Sequence, residues 1–197
     1  MEAFERLVFI VMVFIVIDGL DASGKSTQAI RLYKFLKDNG KTVFLRFHPS
    51  NDNFFGVKAK QFLYLKGKSA HLAAASFYML DVIRSILHYL WRKYDYIIFV
   101  RYLMGTAYLP SPLHRIAYHF FASIVPTSNF MFFLDVSPEQ AYRRIQQERR
   151  RREMFESLEE LERIRRKALF LALVGKWTVI DANKPAEDIE KEIRKLL

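Results

Sequence analysis

Short apolar runs alternate along this chain with longer segments in which apolar residues recur at helical spacing. The runs are continuous and rich in Val, Ile and Phe, which is typical of strands buried on both faces of a parallel sheet. They predict five strands, at residues 12–19, 42–47, 96–100, 130–135 and 177–181.

The segments between the strands predict helices, at residues 25–38, 54–65, 69–91, 158–172 and 185–196, with a further helix beginning at Pro138. Asn39-Gly40 is a stop signal for the first helix, Ser69 is a candidate cap for the third, and Ser137-Pro138 is a strong helix start. Strands that alternate with helices predict an α/β fold, here a doubly wound five-stranded parallel sheet covered on both faces.

The first strand lies inside a longer apolar run. Residues 7–17 are eleven apolar residues in succession, whereas a membrane-spanning helix needs about 20. A strand beginning at Met12 has an ordinary length, so residues 1–11 are interpreted as an N-terminal extension. Residues 12–197 are expected to form one domain, because 197 residues are too few for two of ordinary size.

Composition narrows the choice of partners. The chain is 51% hydrophobic, contains no cysteine and has a formal net charge of +10. Absence of cysteine excludes disulfides and thiolate metal sites, and makes the cytoplasm the expected compartment. The positive charge predicts acidic partners, either nucleic acids or small phosphorylated ligands. No membrane association is expected.

A phosphate-binding motif follows the first strand. Residues 19–27 read GLDASGKST and match G-x-x-x-x-G-K-[ST], with a strand directly before and a helix directly after. Backbone N–H groups of such a loop and the positive end of the helix bind phosphate oxygens. Lys25 is expected on the β- and γ-phosphates, and the Ser26 hydroxyl on Mg²⁺. The predicted ATP-binding residues are Gly19, Leu20, Asp21, Ala22, Ser23, Gly24, Lys25, Ser26 and Thr27.

Several classes of P-loop protein share this motif. Signalling GTPases need a guanine-reading N-K-x-D segment, which this sequence lacks, and motor and helicase ATPases are generally larger. A small domain with arginines through its second half suits a nucleotide kinase, because phosphoryl transfer requires positive charge on donor, acceptor and transferred group.

The chain resembles the thymidylate kinase family over most of its length. The similar segments are GLDASGKSTQ (19–28), LRFHP (45–49), RYLMGTAY (101–108), LDVSPEQAYRRI (134–145), SLEELERIRRKAL (157–169) and VIDANKP (179–185). The resemblance implies a P-loop kinase that phosphorylates dTMP with ATP and Mg²⁺. It also implies a homodimer, with the aromatic-rich helices as the candidate interface.

The resemblance further assigns roles on the acceptor side. It places Asp21 near the acceptor sugar, and Arg46 and Arg101 on the acceptor phosphate. Tyr108, at the end of the 101–108 segment, and Phe77 or Tyr78, on the third helix, are the aromatic candidates for substrate contact. The segment 179–185 corresponds to the part of the family that lies near the adenine.

An arginine-rich stretch, RRIQQERRRRE at residues 143–153, falls where the family carries its lid, here about residues 146–156. The P-loop itself contains no arginine, so the arginine that stabilises the transition state is expected from the lid. Arg149 and Arg152 are the first choices. With Lys25 and Arg101 they complete the predicted catalytic set.

The chain also departs from the family. Val100 stands where the family usually has an aspartate at the end of the third strand, and that acid would help hold Mg²⁺ or its water shell. The base-reading segment F-x-A-x-R has no clean counterpart in SFYMLDVIRS (76–85), and the 101–108 segment is one residue short.

These departures leave alternatives open. A kinase for another nucleotide or nucleoside is consistent with the missing base-reading arginine. A catalytically impaired ATP-binding relative is consistent with Val100. A nucleic-acid binder that acts through the arginines is the remaining class, although no stable nucleic-acid partner is expected.

Overall fold

A five-stranded parallel sheet forms the centre of the molecule, in the order β2-β3-β1-β4-β5. The computed structural model describes residues 12–65, 67–148 and 157–197. Its strands are β1 (Val13–Gly19), β2 (Val43–Phe47), β3 (Tyr96–Val100), β4 (Phe130–Asp135) and β5 (Thr178–Asp181).

Helices cover both faces of the sheet. They are α1 (Lys25–Asp38), α2 (Phe54–Leu63), α3 (Lys68–Tyr89), α4 (Leu113–Ile124), α5 (Pro138–Glu148), α6 (Leu158–Val174) and α7 (Ala186–Lys195), together with a 3₁₀ helix, Leu103–Tyr108. None of the helices in the described part of the chain is long and apolar enough to cross a membrane.

The strands are apolar throughout because both sheet faces are covered. Ile15, Val16 and Ile17 of β1 are completely buried, as are Ile97 and Ile98 of β3. Continuous apolar runs therefore form these strands, as expected for a parallel sheet between two helical layers. The doubly wound fold predicted from the sequence is confirmed.

The chain reverses its direction across the sheet at β1. From β1 it passes through α1 to the edge strand β2, returns to β3 beside β1, and then crosses to β4 on the other side. Ile17 is paired with Val100 of β3, and Gly19 with Leu134 of β4. Open α/β sheets bind ligands at the carboxyl ends of the strands beside such a reversal. The P-loop follows β1 at this point.

The predicted element bounds differ from the observed bounds in a few places. Thr42 lies outside β2, and its amide and hydroxyl both donate to the Asp95 carboxylate, at 2.7 and 2.8 Å. The helix predicted to begin at Ser69 begins one residue earlier, with Gly67 at the N-cap position and no side-chain cap. Ser69 is therefore not the cap.

Two elements were not predicted, the 3₁₀ helix and α4. The apolar pattern of α4 is misleading, because Ile116, Phe120 and Ile124 are exposed while His114 and Tyr118 are buried. An amphipathic face normally marks the side that packs on the core. In α4 the more apolar face points away from the core.

Candidate active site

The P-loop is a tight turn between β1 and α1. Gly24 has φ +88°, in the left-handed region that glycine adopts without steric cost, and α1 begins at the next residue without a side-chain cap. Its first-turn N–H groups thus have no acceptor within the helix. The Ser23 hydroxyl in the loop is buried and has no hydrogen-bond partner. These donors fit an anion such as a nucleotide phosphate.

Lys25 lies folded against this loop. Its side chain is buried, and Nζ donates to the carbonyl oxygen of Gly19 at 3.0 Å and to that of Leu20. The ammonium group is thus held at the centre of the loop by backbone carbonyls. From this position it can reach phosphate oxygens bound above the loop, as expected from the motif.

A polar cavity of about 310 Å³ opens beside the loop. Its lining includes the loop itself with the start of α1, and Lys184 with the start of α7. The segment 179–185, expected near the adenine, thus borders this cavity. The residues around it are Ala22, Ser23, Gly24, Lys25, Ser26, Thr27, Gln28, Arg101, Arg144, Lys184, Ala186 and Ile189.

Arg144 is a site residue for which the sequence predicted no role. Its guanidinium donates to the carbonyl oxygens of Ala22 in the P-loop, at 3.0 Å, and of Ala182 after β5, at 3.2 Å. A signal was present, because Arg144 lies three residues after Ala141 and one before Ile145, both of which are buried. Arg144 thus lies at the margin of the apolar face of α5. A guanidinium there needs hydrogen-bond acceptors from the protein, because burial removes part of its hydration.

Arg101 occupies the junction between the two halves of the site. It follows β3, has φ +66°, and lines both the polar cavity and a second cavity. The guanidinium forms an ion pair with the buried Asp21, whose other carboxylate oxygen accepts from the Tyr108 hydroxyl at 3.0 Å. Burial, and then the negative charge of Asp21, raise the pKa of Tyr108, so this phenol is neutral and donates.

The second cavity is small and largely apolar. It measures about 60 Å³ and is bordered by Pro49 after β2, Ala59 and Leu63 of α2, Ala74, Ala75 and Tyr78 of α3, Gly105 and Tyr108 of the 3₁₀ helix, and Asp18, Gly19, Asp21 and Arg101. Tyr78 donates its hydroxyl to the carbonyl oxygen of Tyr102 at 2.8 Å. A β-carbon at Gly105 would overlap the Tyr78 ring, so glycine is required for this close approach.

Asp18 connects the P-loop strand to the segment after β3. Its carboxylate accepts backbone N–H groups from Gly19 at 2.9 Å, Tyr102 at 2.7 Å and Met104 at 3.2 Å. Burial raises the pKa of Asp18, against the opposing effect of nearby Lys25. The neighbouring strand ends in Val100, which is buried and aliphatic and offers no metal ligand.

The predicted Mg²⁺ site requires oxygen ligands near the P-loop. Ser26 is exposed at the start of α1 and borders the polar cavity. Within the described ranges, no group of three or more His, Cys, Asp or Glu side chains could hold a metal ion. This donor set fits a magnesium ion that is bound mainly through phosphate oxygens and water, with one protein hydroxyl.

The structure brings together some of the predicted site residues and not others. Lys25, Ser26, Asp21, Arg101 and Tyr108 meet around the two cavities. Phe77 is partly buried away from both, and its ring stacks on Phe62 with the centroids 5.6 Å apart. Arg46 borders neither cavity and is paired with acidic side chains. Arg149 and Arg152, with most of the predicted lid, lie outside the described residues, as does the segment 1–11.

A P-loop at the reversal point of a parallel sheet, with an arginine between a polar cavity and a largely apolar second cavity, defines a P-loop phosphotransferase of the nucleoside monophosphate kinase class. The sequence model described as "Thymidylate kinase" matches residues 17–193. The chain belongs to the thymidylate kinase family.

Individual relatives agree with this assignment. The chain is 28% identical to a probable thymidylate kinase of Archaeoglobus fulgidus, with 93% of each chain aligned. It is 30% identical to a probable thymidylate kinase of Pyrobaculum calidifontis, over 91% of this chain and 93% of the relative. The thymidylate kinase of Plasmodium falciparum is 28% identical, over 92% of this chain and 88% of the relative. The solved thymidylate kinase structure from Candida albicans shares the fold, with a TM-score of 0.70 at 18% identity, over 93% of this chain and 90% of that one.

Proposed function

We propose that this chain transfers the γ-phosphate of ATP to dTMP. The observation that carries the proposal is the position of Arg101, which borders the polar cavity beside the P-loop and also the largely apolar second cavity. A cation at this junction can contact the acceptor phosphate and the phosphoryl group in transit. Phosphoryl transfer depends mainly on such positioning and charge neutralisation.

On the donor side, the P-loop amides and Lys25 hold the triphosphate. Arg144 extends the positive surface of the same cavity from α5, because its guanidinium spans the P-loop and the segment after β5. Lys184 and Ala186 form the wall that faces the adenine. This arrangement assigns the 310 Å³ cavity to ATP.

On the acceptor side, dTMP occupies the largely apolar cavity, with its phosphate on Arg101 and its sugar near Asp21 and Tyr108. The base then lies between α2 and α3 against Ala59, Leu63, Ala74 and Tyr78. The cavity of about 60 Å³ is smaller than a nucleotide, and ligand pockets usually measure roughly 300–1,000 Å³. A bound nucleotide must therefore extend beyond this cavity or widen it.

Magnesium is the expected metal of the reaction. It would supply positive charge that neutralises the phosphates of ATP. The Ser26 hydroxyl is the side-chain ligand that the P-loop offers. Since Val100 cannot replace the usual aspartate, Val100→Asp is expected to strengthen Mg²⁺ binding in the presence of ATP.

A further positive charge is needed at the transferred phosphoryl group. The sequence resemblance implies that Arg149 or Arg152 supplies it. Arg149→Ala and Arg152→Ala are expected to lower kcat at saturating substrates. The matched control is Arg143→Ala, because Arg143 is exposed on α5 and borders neither cavity. If both lid variants keep the wild-type kcat, the arginine comes from elsewhere.

The test of the proposal is a panel of acceptors incubated with ATP and Mg²⁺, with ADP and phosphorylated product both quantified. The panel contains dTMP, dUMP, UMP, dCMP, AMP, GMP and thymidine, with the wild type and Val100→Asp run in parallel. The expected result is the highest kcat/KM with dTMP. A much higher value with another acceptor would replace dTMP by that compound. ATP binding without ADP formation on any acceptor would favour a non-catalytic role.

A salt titration of DNA and RNA binding, run with the wild type and Lys25→Ala, separates a nucleic-acid binder from a kinase. If the arginines serve nucleic acid, DNA or RNA affinity falls steeply with salt and survives Lys25→Ala. The proposed kinase instead requires Lys25 for turnover. The cytoplasm is the proposed compartment of the reaction, in keeping with a chain that contains no cysteine.

We also propose that the chain forms a homodimer through α3 and α4. Both helices expose large apolar side chains, including Leu80 and Leu87 of α3 and Ile116, Phe120 and Ile124 of α4. Exposed apolar patches of this kind are typical of protein interfaces. Light scattering is expected to give twice the monomer mass for the wild type and the monomer mass for Phe120→Glu. Leu173→Glu, on the exposed side of α6, is the control that should remain dimeric.

A further inference from the structure

His48 is a buried histidine whose side chain contacts the backbone of Arg101. The residue is only 4% exposed, and its Nδ1 lies 3.1 Å from the carbonyl oxygen of Arg101. Because a carbonyl oxygen only accepts hydrogen bonds, Nδ1 carries a proton and donates it. Burial lowers the pKa of His48 to about 4, so the ring is neutral at neutral pH. The neutral ring therefore carries its single proton on Nδ1.

We propose that His48 is a positioning residue, which orients Arg101 toward the acceptor phosphate by donating a hydrogen bond from Nδ1 to the Arg101 carbonyl oxygen. The inference rests on the proposed function, because that function assigns the acceptor phosphate to Arg101. His48 itself borders neither the polar cavity nor the acceptor cavity. It therefore acts through Arg101 and not by touching a substrate.

The backbone of Arg101 adopts a conformation that its surroundings must maintain. Its φ is +66°, in the left-handed region that residues with a side chain rarely adopt. Such conformations persist where neighbouring groups fix them from several sides, and they cluster at functional sites. One restraint comes from β1, because the Arg101 N–H donates to the carbonyl oxygen of Ile17 at 3.1 Å.

The peptide group that follows Arg101 is held at both of its polar atoms. Its carbonyl oxygen accepts from His48, and its N–H, which belongs to Tyr102, donates to the Asp18 carboxylate at 2.7 Å. Loss of the His48 donor would release one of these restraints and allow the peptide plane to rotate. The φ of Arg101 could then relax, and the direction of its side chain would change with it.

His48 is itself fixed, so it can restrain Arg101. Its N–H extends the pairing of β2 with β3 by one residue, because it donates to the carbonyl oxygen of Val100 at 3.0 Å. The imidazole packs edge to face with Phe99, with the ring centroids 5.0 Å apart. Pro49, the next residue, borders the acceptor cavity as Arg101 does. The contact of His48 with Arg101 thus joins two parts of the lining of this cavity.

The first test compares His48→Asn with His48→Leu. The two side chains have nearly the same size, but only asparagine has an N–H donor at the position of Nδ1. His48→Leu should raise the dissociation constant of dTMP, measured by calorimetry, by about twofold to tenfold, as expected for loss of one hydrogen bond. His48→Asn should keep more of the affinity, and the KM of ATP should change little in both. Equal losses in the two variants overturn the proposal.

A double-mutant cycle shows whether the effect passes through Arg101. Arg101→Ala keeps the β-carbon but leaves no guanidinium to orient. In this background His48→Leu should therefore cost much less dTMP affinity than it does in the wild type. The same cost in both backgrounds would mean that His48 does not act through Arg101, and this result overturns the positioning role.

A matched control accounts for the general effect of replacing a buried histidine. His114 is also 4% exposed, and it borders neither the polar cavity nor the acceptor cavity. His114→Leu should lower Tm without raising the dissociation constant of dTMP. If it weakens dTMP binding as much as His48→Leu does, lost stability explains both effects and the proposal is wrong.

Nitrogen NMR of the imidazole rings tests the contact without a substrate. The signal of His48 is identified by its loss in His48→Leu, and at neutral pH it should show a neutral ring protonated at Nδ1. Protonation at Nε2 would leave Nδ1 as an acceptor, which cannot bind a carbonyl oxygen, and overturns the proposal. If the panel identifies another acceptor, calorimetry is run with that compound. The panel thus tests the proposed function, whereas the cycle and the NMR spectrum test the role of His48.

Discussion

Arg101 forms an ion pair with Asp21 across the carboxyl ends of two adjacent strands, although 80 positions separate the two residues in the chain. Asp21 belongs to the P-loop after β1, and Arg101 follows β3. The pair thus connects the donor-binding loop to the wall of the acceptor cavity. Tyr108 reinforces it from the 3₁₀ helix by donating to the other oxygen of Asp21.

Replacing Asp21 with asparagine should weaken acceptor binding more than ATP binding. The asparagine amide keeps the shape of the side chain but removes the charge that holds Arg101. Loss of a charged hydrogen bond costs about 1.5–3 kcal/mol, or roughly 10-fold to 150-fold in affinity. The prediction is an increase of this order in the acceptor KM, measured at saturating ATP.

Tyr108→Phe changes the same contact as Asp21→Asn but more mildly. It removes one neutral donor and leaves the ion pair of Asp21 with Arg101, so the acceptor KM should rise by less than in Asp21→Asn. A larger effect for Tyr108→Phe would show that the phenol, and not the ion pair, organises this wall.

Lys25→Ala should abolish most of the turnover. The ammonium is held inside the P-loop by the carbonyl oxygen of Gly19, and its loss removes charge stabilisation from the transferred phosphoryl group. Loss of a preorganised electrostatic contact of this type lowers kcat by roughly 10²–10³-fold. Initial rates at saturating substrates measure the effect. Lys34→Ala, an exposed lysine of the same helix, should retain wild-type activity.

Gly105→Ala should destabilise the protein and impair acceptor binding. A β-carbon there would overlap the Tyr78 ring, and overpacking of this kind typically costs about 1–3 kcal/mol. Chemical denaturation measures the change in the free energy of unfolding. In a Tyr78→Leu background the same substitution should cost less, because the ring that opposes it is absent. Equal costs in both backgrounds would argue against this contact.

The unfolding free energy should decrease in mild acid because of His48. Burial lowers the pKa of His48 to about 4, from 6.5, so the unfolded chain binds a proton in this range that the folded chain does not. The stability that neutral His48 contributes is complete above pH 6.5 and is lost as the pH falls from 6.5 towards 4. The pKa difference corresponds to about 3 kcal/mol.

His48→Gln should flatten this pH dependence. The measured quantity is the slope of the unfolding free energy against pH, which can be compared even if the variant is less stable at every pH. Burial also lowers the pKa of His114, so part of the slope will remain. A slope in His48→Gln as steep as that of the wild type would show that burial of His48 is not the cause.

Much of the fold could be predicted because its signals are local. The apolar runs predicted the strands to within one residue, and α1 has the predicted bounds. The Ser137 hydroxyl accepts the Gln140 amide at 3.3 Å, as its position before Pro138 predicted. The site was less predictable. Arg46 lies near the end of β2 and Arg101 follows β3, and no local pattern indicates that Asp52 and Asp81 lie beside the first and Asp21 beside the second.

By itself, the sequence determined that this protein is a P-loop domain on a doubly wound sheet, because strand periodicity, helix signals and the GLDASGKST motif act over a few neighbouring residues. Only the tertiary structure showed what surrounds each cation. Asp52 and Asp81 enclose Arg46, whereas Arg101 and Arg144 reach the cavities from β3 and α5. The physical reason is that the electrostatic environment of a charged side chain depends on carboxylates and carbonyls that only folding brings to it.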